Sequence, residues 1–445
     1  MMTRQDWNRD PAADTQVVVL MGGLGTRLGL TDRPKAMADI NGRPFFDYEL
    51  MLLKRWGFWR FLFLVGHQAD QIEDYYGDGS GQGLEIRYSR DGRSQLGTGG
   101  ALKQAEAMLD EHFILLYGDS FMDMDYRELV YRSRLEREAG KAGVMAVLKN
   151  EGRYDTSNVI FRDGTLFLYD KAERSADMQY IDYGVSMLSK EVLAGIEPGK
   201  PCDLSEVLTA LSKAGKLAGQ EVCKRFYEIG SPASRDEFAA YAKQRFCRAN
   251  RALFLDRDGV INEFCFHEET EQLDSPFTKE EFRYREDVIS TLKAVSDMGY
   301  LLFIVTNQPA AAKGKVSLKA LYDLNTWMAR DLQEKGIRVE ASSLCPHHPA
   351  GDRRTQAPFL IRRCGCRKPK AGLITDILKI YNIDMEHSWM AGDSYTDVLA
   401  GKRAGLKTAL LGEYKCDVCH RLEGNRPDRV LKDIRELEGI LREDT

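Results

Sequence analysis

Two short loops of this 445-residue chain carry residues whose types and spacing could handle phosphate groups. The first, GGLGTRL at 22–28, follows an apolar run at 17–21, and Pro34-Lys35 comes a few residues later. The second, DRDGV at 256–260, follows an apolar run at 253–255. Parallel α/β sheets bind ligands at the carboxyl ends of their strands, where both loops would lie. The sequence therefore predicts two phosphate-handling sites.

The glycines of the first loop permit backbone conformations closed to other residues, so their N–H groups can point at phosphate oxygens. Arg27 adds a planar fork of donors, and Lys35 adds a mobile positive charge. A glycine-rich turn alone is a weak signal, but GGLGTRL followed by PK is much more specific. We therefore expect a nucleoside triphosphate site in which Arg27 and Lys35 are catalytic. The loop residues expected to contact the nucleotide are Gly22, Gly23, Gly25 and Thr26.

This pattern resembles the sugar-1-phosphate nucleotidyltransferase family, whose fingerprint is GGxGTRL followed by PK, and the resemblance spans residues 15–245. Further motifs follow in the family's order, including QLGTGGA at 95–101, which resembles the loop that holds the base and ribose. The resemblance implies that Asp119 and Glu228 bind Mg²⁺ and that Lys171 holds the sugar phosphate. It also implies nucleotide contacts from Gly97, Thr98 and Gly99.

The reaction of that family explains these residue types. An oxygen of a sugar 1-phosphate attacks the α-phosphorus of the triphosphate, and pyrophosphate leaves. Because two anions must approach each other, charge neutralisation and in-line positioning carry most of the catalysis. Arg27 would hold the leaving pyrophosphate, and Lys35 would counter the charge near the α-phosphate.

Two positions depart from the family pattern. Glu228 replaces the usual aspartate and is one methylene longer, and Asp182-Tyr183-Gly184 stands where many members have Asn-Ala-Gly. Asn158 is a candidate for contacting sugar hydroxyls, but a role in a nearby turn is an equal alternative. Without the resemblance, Asp119 is equally well explained as a helix cap, and Lys171 as a solvated lysine.

In the second loop, Asp256 and Asp258 stand two residues apart at the end of an apolar run. Asp256 could attack phosphorus and form an aspartyl-phosphate. Asp258 could protonate the leaving oxygen and then activate water. One acidic pair could be a coincidental turn, but further motifs at other strand ends argue against that alternative.

The DxDGV signature resembles the haloacid dehalogenase (HAD) superfamily, and the other motifs of that superfamily follow in order. The resemblance implies that Thr306 and Asn307 bind the phosphoryl group and that Lys368 neutralises its charge. It also implies a Mg²⁺ site next to the nucleophile, because GDxxxD at 392–397 follows another apolar run. The implied magnesium ligands are Asp256, the backbone carbonyl of Asp258, and Asp393 from a motif that ends in Asp397.

A finer resemblance is to the histidinol-phosphate and heptose-bisphosphate phosphatases, which share DRDGVIN, TNQ and CRKPKAG with this chain. CPHHP at 345–349 and CGC at 364–366 offer paired soft ligands, a strong signal for tetrahedral zinc. We expect a structural Zn²⁺ that fixes the loop carrying Arg367 and Lys368, both expected to contact substrate. The expected zinc ligands are Cys345, His347, Cys364 and Cys366, and His348 is not among them.

Three details of the second half differ from its relatives or invite a false conclusion. QPAAAKG at 308–314 stands where relatives often read QSGIARG, so Ala310 and Lys313 replace a glycine and an arginine. Ser394 stands where relatives often have lysine. CDVCH at 416–420 fits a haem-attachment pattern, but without export we expect free thiols or an incidental metal site.

Apolar strands alternate with amphipathic helices in both halves, which predicts α/β folds with mostly parallel sheets. In the first half we expect strands at 17–21, 61–65, 113–117 and 144–148, helices at 45–55, 101–109 and 232–245, and a hairpin around Asp163-Gly164. In the second half we expect strands at 253–255, 301–306, 339–344 and 388–391, and helices at 318–335, 373–381 and 398–404.

The fold class predicted by these patterns and resemblances is α/β with two doubly wound domains. One is a Rossmann-like, GT-A-type nucleotidyltransferase domain, and the other is a HAD-like phosphatase domain with a zinc clip and a minimal cap. The expected segments are a polar leader at 1–15, the nucleotidyltransferase domain at 16–245, a linker at 246–251 and the phosphatase domain at 252–445.

Composition restricts the function further. A net charge of -5 and a pI near 5.9 argue against a nucleic-acid binder. The sequence offers no secretory signal and no apolar run of the roughly 20 residues that a membrane span needs. Nine cysteines in such a chain favour a reducing cytoplasm. We therefore expect a cytoplasmic protein with small-molecule substrates and no nucleic-acid or membrane partner, and a homo-oligomer is compatible with these patterns.

Together the two resemblances imply consecutive steps of bacterial nucleotide-heptose synthesis. Heptose 1,7-bisphosphate would lose its 7-phosphate, and a nucleoside triphosphate would then activate the heptose 1-phosphate. The first half resembles the guanylyltransferase branch most, which implies GTP and the α-anomer. Two alternatives remain open: a phosphatase for another sugar or for histidinol phosphate fused to a mannose- or glucose-1-phosphate nucleotidyltransferase, or a chain in which one half is a degenerate binding or scaffold module.

Overall fold

The computed structural model describes residues 14–23, 32–91, 96–162, 164–268, 271–412 and 425–444. These residues form two compact units, one ending at Gln244 and the other beginning at Arg245. Among them, no helix is both long and apolar enough to cross a membrane.

The first unit contains short strands and helices in alternation. Its described strands are β1 (Gln16–Leu20), β2 (Asp39–Ile40), β3 (Arg43–Pro44), β4 (Arg60–Val65), β5 (Glu85–Arg90), β6 (His112–Tyr117), β7 (Ser120–Phe121), β8 (Gly143–Lys149), β9 (Val159–Arg162), β10 (Thr165–Tyr169), β11 (Tyr180–Ser189), β12 (Leu217–Val222) and β13 (Tyr227–Glu228). Its described helices are α1 (Phe45–Arg55), α2 (Ala69–Tyr76), α3 (Gly97–Gln104), α4 (Tyr126–Glu138), α5 (Leu204–Lys213) and α6 (Pro232–Ala242).

A mixed sheet forms the centre of this unit. Strands β5, β4, β1 and β6 are parallel neighbours in that order, and buried Val18 of β1 lies between Leu62 and Leu115. Strand β11 runs antiparallel to both β6 and β8, and β12 extends the sheet parallel to β8. The alternating pattern predicted the parallel half of this sheet but not the direction of β11.

The predicted hairpin is confirmed, because β9 and β10 pair antiparallel on either side of 163–164. The bounds of two predicted helices are wrong. Helix α3 begins at Gly97 and ends at Gln104, not at 101–109, because its glycine-rich first turn hides the helical pattern. Helix α6 ends at Ala242, and a π-helical turn continues over Lys243–Cys247.

The second unit is built on a parallel sheet. Its described strands are β14 (Ala252–Leu255), β15 (Cys265–His267), β16 (Gln272–Asp274), β17 (Leu301–Asn307), β18 (Val339–Cys345), β19 (Trp389–Gly392), β20 (Lys407–Leu411) and β21 (Arg429–Leu431). Its described helices are α7 (Val288–Asp297), α8 (Leu318–Glu334), α9 (Gly372–Leu378), α10 (Tyr395–Ala404) and α11 (Glu436–Glu443).

The order of this sheet is β18, β17, β14, β19, β20 and β21, and all of these neighbours are parallel. The central strand β14 is fully buried, as its uninterrupted apolar run predicts. Between β14 and α7 the chain forms the small β15–β16 hairpin, in agreement with the minimal cap expected for this domain. The carboxyl ends of β14, β17 and β19 therefore carry the loops singled out in the sequence.

Residues 246–251, expected to be a linker, belong to the second unit and are hydrogen-bonded to it. The Asn250 N–H donates to the carbonyl oxygen of Asn382 at 2.9 Å, and the Asn250 carbonyl accepts from the N–H of Asp384 at 2.8 Å. The side-chain amide of Asn382 donates to the carbonyl of Cys247 at 3.0 Å. These hydrogen bonds fix the segment against the loop after α9.

Candidate active sites

A cavity of about 540 Å³ lies at the carboxyl ends of β1 and β6 in the first unit. Its lining is apolar on several sides, with Leu20, Leu64, Ala101 and Pro201. The predicted nucleotide residues that line it are Gly22, Gly23, Lys35, Gly97 and Thr98. The predicted residues Gly25, Thr26 and Arg27 lie outside the described part of the chain. The geometry suits a flat base and a chain of phosphates.

The turn into α3 is anchored on the segment at 202–204. Gly97 has a φ of +69°, and a Cβ there would lie 2.6 Å from the carbonyl oxygen of Cys202, so only glycine fits. The Gly99 N–H donates to that same carbonyl at 2.9 Å. The Thr98 hydroxyl accepts from the Leu204 N–H at 2.9 Å. Gly97 and Thr98 therefore stay at the cavity wall, while the N–H of Gly99 serves the fold.

A second cavity of about 350 Å³ adjoins the first, because Tyr117 and Asp119 line both. Its walls are more polar, which suits a sugar phosphate. The predicted residues found here are Asn158, Lys171 and Glu228. A nucleoside triphosphate in the first cavity and a sugar phosphate in the second would thus meet at Asp119.

Asp119 and Glu228 lie side by side because the short strands β7 and β13 pair, with Glu228 opposite Ser120. The Ile229 N–H also donates to the carbonyl of Asp119 at 3.1 Å. Lys35 Nζ lies 3.0 Å from Asp119 Oδ2, and both side chains keep about a quarter or less of their surface exposed. Two carboxylates at a junction of phosphate cavities are the hard oxygen donors that Mg²⁺ prefers. These residues therefore fit the predicted magnesium site.

The second cavity is also lined by Asp182, one of the positions that departs from the family pattern. Burial raises the pKa of the Asp182 carboxyl, and the positive charge of Lys171 works in the opposite direction. The side-chain oxygen of buried Asn158 accepts from the Asp182 N–H at 2.9 Å. Asn158 thus lines the cavity and also holds β11, so the sequence alternatives of a sugar contact and a structural role are compatible.

In the second unit, Asp256 follows β14 and its N–H donates to the Ala391 carbonyl of β19 at 3.0 Å. Lys368 Nζ is buried 2.8 Å from Asp256 Oδ1 and 2.6 Å from Asp397 Oδ1. Burial, followed by the charge of Asp397, raises the pKa of Asp256 to about 7, although Lys368 opposes the shift. The site therefore concentrates negative charge that one lysine offsets only in part.

Carboxylate oxygens of Asp256, Asp393 and Asp397 all lie within 4.8 Å of one another. This set of hard donors around an excess of negative charge fits Mg²⁺. Gly259, with a φ of +79°, leaves room for the Asp393 side chain, because a Cβ on Gly259 would lie 2.2 Å from Asp393 Oδ2. Asp397 also accepts from the Ser394 N–H at 3.0 Å. Ser394, which stands where relatives often have lysine, therefore caps α10.

Hydrogen-bond donors surround the Asp258 carboxylate. The guanidinium of fully buried Arg257 pairs with it at 3.0 Å. Its carboxylate also accepts from the Ser275 hydroxyl at 2.8 Å. The side-chain amides of Asn262 and Gln308 donate to it at 3.0 and 2.5 Å. The predicted proton transfer therefore requires Asp258 to exchange one of these partners for the substrate oxygen.

Thr306 and Asn307 end β17 as predicted, but their side chains also make internal contacts. The Thr306 hydroxyl accepts from Gln308 Nε2 at 2.9 Å. The Asn307 amide accepts from the Lys368 N–H and donates to the Lys368 carbonyl, each at 3.0 Å. Asn307 thus fixes the backbone that carries Lys368. The following residues, Ala310 to Ala312, are buried and pack where the family pattern has a flexible glycine.

The predicted zinc residues form a Cys₃His cluster. The three sulfurs of Cys345, Cys364 and Cys366 lie 3.1 to 3.6 Å apart. His347 Nδ1 lies 3.7 Å from the Cys345 sulfur and 3.3 Å from the Cys366 sulfur. Four soft donors at such spacing have the chemistry and geometry of a structural zinc site. Arg367 Nη1 reaches the His347 carbonyl at 3.5 Å, which ties the cluster to the loop before Lys368.

Comparison with known proteins gives a family for each half of the chain. Residues 16–155 match the nucleotidyl transferase family model, and residues 365–437 match the HAD-hydrolase-like model. The D-glycero-beta-D-manno-heptose-1,7-bisphosphate 7-phosphatase of Haemophilus ducreyi is 40% identical over 162 residues, which is 36% of this chain and 82% of that protein. The second unit belongs to this HAD phosphatase family. The chain is therefore a bifunctional enzyme, a sugar-phosphate nucleotidyltransferase joined to a HAD phosphatase.

Other similarities cover each unit separately. The D-glycero-alpha-D-manno-heptose-1,7-bisphosphate 7-phosphatase of Photorhabdus laumondii is 38% identical over 161 residues, or 36% of this chain and 81% of that protein. The nucleotidyltransferase unit is similar to the crystal structure of HddC from Yersinia pseudotuberculosis complexed with GMP-PN. That similarity is 25% identity over 51% of this chain and 99% of that chain, with a TM-score of 0.40.

The sequence motifs missed several residues that line the nucleotidyltransferase cavities. Asp91 and Tyr117 line the first cavity, and Asp155, Thr156 and Arg174 line the second. None belongs to a motif that the sequence analysis singled out. In the HAD phosphatase unit, Ser275 was also missed, whereas Asn262 ends the DRDGVIN motif but was given no role there.

Proposed function

We propose that the chain carries out consecutive steps of nucleotide-heptose synthesis. The HAD phosphatase unit would remove the 7-phosphate of D-glycero-D-manno-heptose 1,7-bisphosphate. The nucleotidyltransferase unit would then transfer GMP from GTP to the resulting heptose 1-phosphate and release pyrophosphate. The observation that carries the proposal is that one chain joins a relative of heptose-bisphosphate phosphatases to a site for activating a sugar 1-phosphate. The product of the first reaction is the kind of substrate that the second requires.

For phosphate release, Asp256 attacks the phosphorus of the 7-phosphate, and the bond from phosphorus to the sugar oxygen breaks. Lys368, 2.8 Å from Asp256, stabilises the charge on the transferring group. Asp258 gives its proton to the leaving oxygen and then takes a proton from the water that hydrolyses the aspartyl-phosphate. Bound Mg²⁺ between Asp256, the Asp258 carbonyl and Asp393 would neutralise charge and orient the phosphate.

For nucleotidyl transfer, the phosphate oxygen of the heptose 1-phosphate attacks the α-phosphorus of GTP, and the bond to the β-phosphate oxygen breaks. Lys171 would hold the attacking phosphate in the smaller cavity. Lys35, ion-paired with Asp119, would stabilise charge near the α-phosphorus where the two cavities join. Mg²⁺ on Asp119 and Glu228 would neutralise the approaching phosphates.

The two relatives named above are phosphatases for opposite anomers, so both anomers of the substrate are tested. The purified full-length protein is incubated with Mg²⁺, each anomer of heptose 1,7-bisphosphate and each nucleoside triphosphate in turn. We expect phosphate release followed by a GDP-heptose of one anomer, measured by mass spectrometry. The Asp256→Asn variant should release no phosphate yet still convert chemically supplied heptose 1-phosphate. Phosphate release without any nucleotide-heptose would refute the assignment of the sugar to the first unit.

A further inference from the structure

Asp91, which no sequence motif indicated, lines the nucleotide cavity directly after β5. Its N–H donates to the Val65 carbonyl at 2.8 Å, which fixes the residue beside the end of β4. Its carboxylate turns toward the predicted nucleotide loop, since a Cβ on Gly22 or Gly66 would come within 3.1 or 3.0 Å of Asp91 Oδ2. Because both neighbours are glycines, no side chain at these positions crowds the carboxylate.

The Asp91 carboxylate makes few interactions with the described residues. Among the described residues it accepts no hydrogen bond and forms no ion pair, and it is only partly exposed. Burial raises the pKa of Asp91 above its ordinary value. A partly desolvated acceptor without donors carries a free-energy cost that a ligand with matching N–H groups would relieve.

The position of Asp91 in the sheet separates it from Lys35 and Asp119, where the reacting phosphates would be held. Asp91 follows β5 and Asp119 follows β6, and β4 and β1 lie between them. Three strand spacings of about 4.8 Å put the two strand ends roughly 14 Å apart. Lys35 lies at the Asp119 side, where the second cavity begins. A carboxylate would repel a triphosphate, so Asp91 is suited to the opposite end of the nucleotide.

We propose that Asp91 determines base specificity by accepting two hydrogen bonds from the N1–H and the 2-amino group of guanine. This inference rests on the proposed nucleotidyl transfer and names its nucleotide. Guanine presents two adjacent donors to a carboxylate, whereas adenine and cytosine present a ring acceptor beside one donor. Uracil and thymine place a carbonyl on each side of their single N–H. A bidentate, charge-assisted pair therefore selects guanine over the other bases.

A substitution that swaps base preference tests this assignment. In Asp91→Asn, the amide oxygen still accepts from N1–H, but the amide NH₂ now opposes the 2-amino group of guanine. Xanthine carries a carbonyl at that position and can accept from the NH₂. We expect the unaltered protein to bind GTP about 10- to 100-fold more tightly than XTP, and Asp91→Asn to prefer XTP. Binding is measured by calorimetry on the full-length protein with Mg²⁺ and without sugar phosphate.

Two further ligands and a matched variant sharpen the result. ITP lacks only the 2-amino group, so its disadvantage against GTP should disappear in Asp91→Ala. If the disadvantage of 2′-deoxy-GTP disappears instead, Asp91 binds ribose and the inference is overturned. Asp236→Asn, which removes one exposed charge on α6, should keep the original GTP preference. An Asp91→Asn variant that still prefers GTP would also overturn it.

The proposed function and the role of Asp91 can be refuted independently of each other. If the base preference changes as expected but no heptose product forms, the result supports the role of Asp91 and refutes the assignment of heptose 1-phosphate as the substrate. If GDP-heptose forms while Asp91→Asn retains its preference for GTP, the result supports the proposed nucleotidyl transfer and refutes the role of Asp91.

Discussion

Replacing Asp256 with asparagine should stabilise the HAD phosphatase unit in the absence of magnesium while it abolishes phosphate release. Asp256 is buried beside Asp397, and its pKa of about 7 lies well above the ordinary value of 3.8. A raised carboxyl pKa means that the folded protein holds the ionised form less well than the unfolded chain does. The neutral asparagine removes that cost and has nearly the same shape.

The sign and size of the effect follow from the two pKa values. The cost is absent below pH 3.8, grows as the pH rises, and is complete above pH 7. At about 1.4 kcal/mol for each pH unit, it reaches roughly 4 kcal/mol at pH 8 and about 1.5 kcal/mol at pH 5. The stability advantage of Asp256→Asn should therefore grow by about 2 to 3 kcal/mol between these two pH values.

Scanning calorimetry of the full-length protein, with zinc retained and magnesium removed, measures this difference at pH 5 and pH 8. The transition to follow is the one that shifts in Asp256→Asn. Asp297→Asn, which removes an exposed charge at the end of α7, controls for net charge and should change little at either pH. Added Mg²⁺ should raise the transition of the unaltered protein more than that of Asp256→Asn. An equal stability difference at both pH values would refute the argument that buried charge at Asp256 destabilises the unit.

Three further expectations test other parts of the structure. Lys35→Ala should lower nucleotidyl transfer about 100-fold, because it removes the cation beside Asp119, while phosphate release serves as the unchanged internal control. Cys364→Ser should reduce the zinc content measured by atomic absorption from one ion per chain toward none, and should lower the thermal transition of the phosphatase unit. Gly259→Ala should reduce phosphate release at least about 100-fold and leave nucleotidyl transfer intact, because the new Cβ meets Asp393 at a φ that only glycine tolerates. Retained phosphate release in Gly259→Ala would contradict the tight packing at that loop.

Much of the site could be predicted because it lies in contiguous motifs. Asp256 and Asp258 share one loop, and a buried strand before them is enough to place them at a sheet edge. The spacing of Cys364 and Cys366 likewise predicts a metal cluster without any fold. In contrast, Asp91 stands in no motif, and although QLGTGGA begins four residues later, only the position of β5 beside β4 shows that Asp91 lines the cavity.

The sequence by itself determined two strand-and-loop sites, their phosphate chemistry and the zinc ligand set, because these depend on residue type and short spacing. The tertiary structure alone decided which distant groups act together. It placed Glu228 beside Asp119 through the pairing of β7 and β13, and it set the Asn307 amide against the backbone of Lys368. It also gave Asp256 its high pKa, because burial and the approach of Asp397 arise only when separate strands meet in one sheet. Hydrogen bonds and electrostatic interactions act over a few ångströms in space, and separation along the chain does not fix that distance.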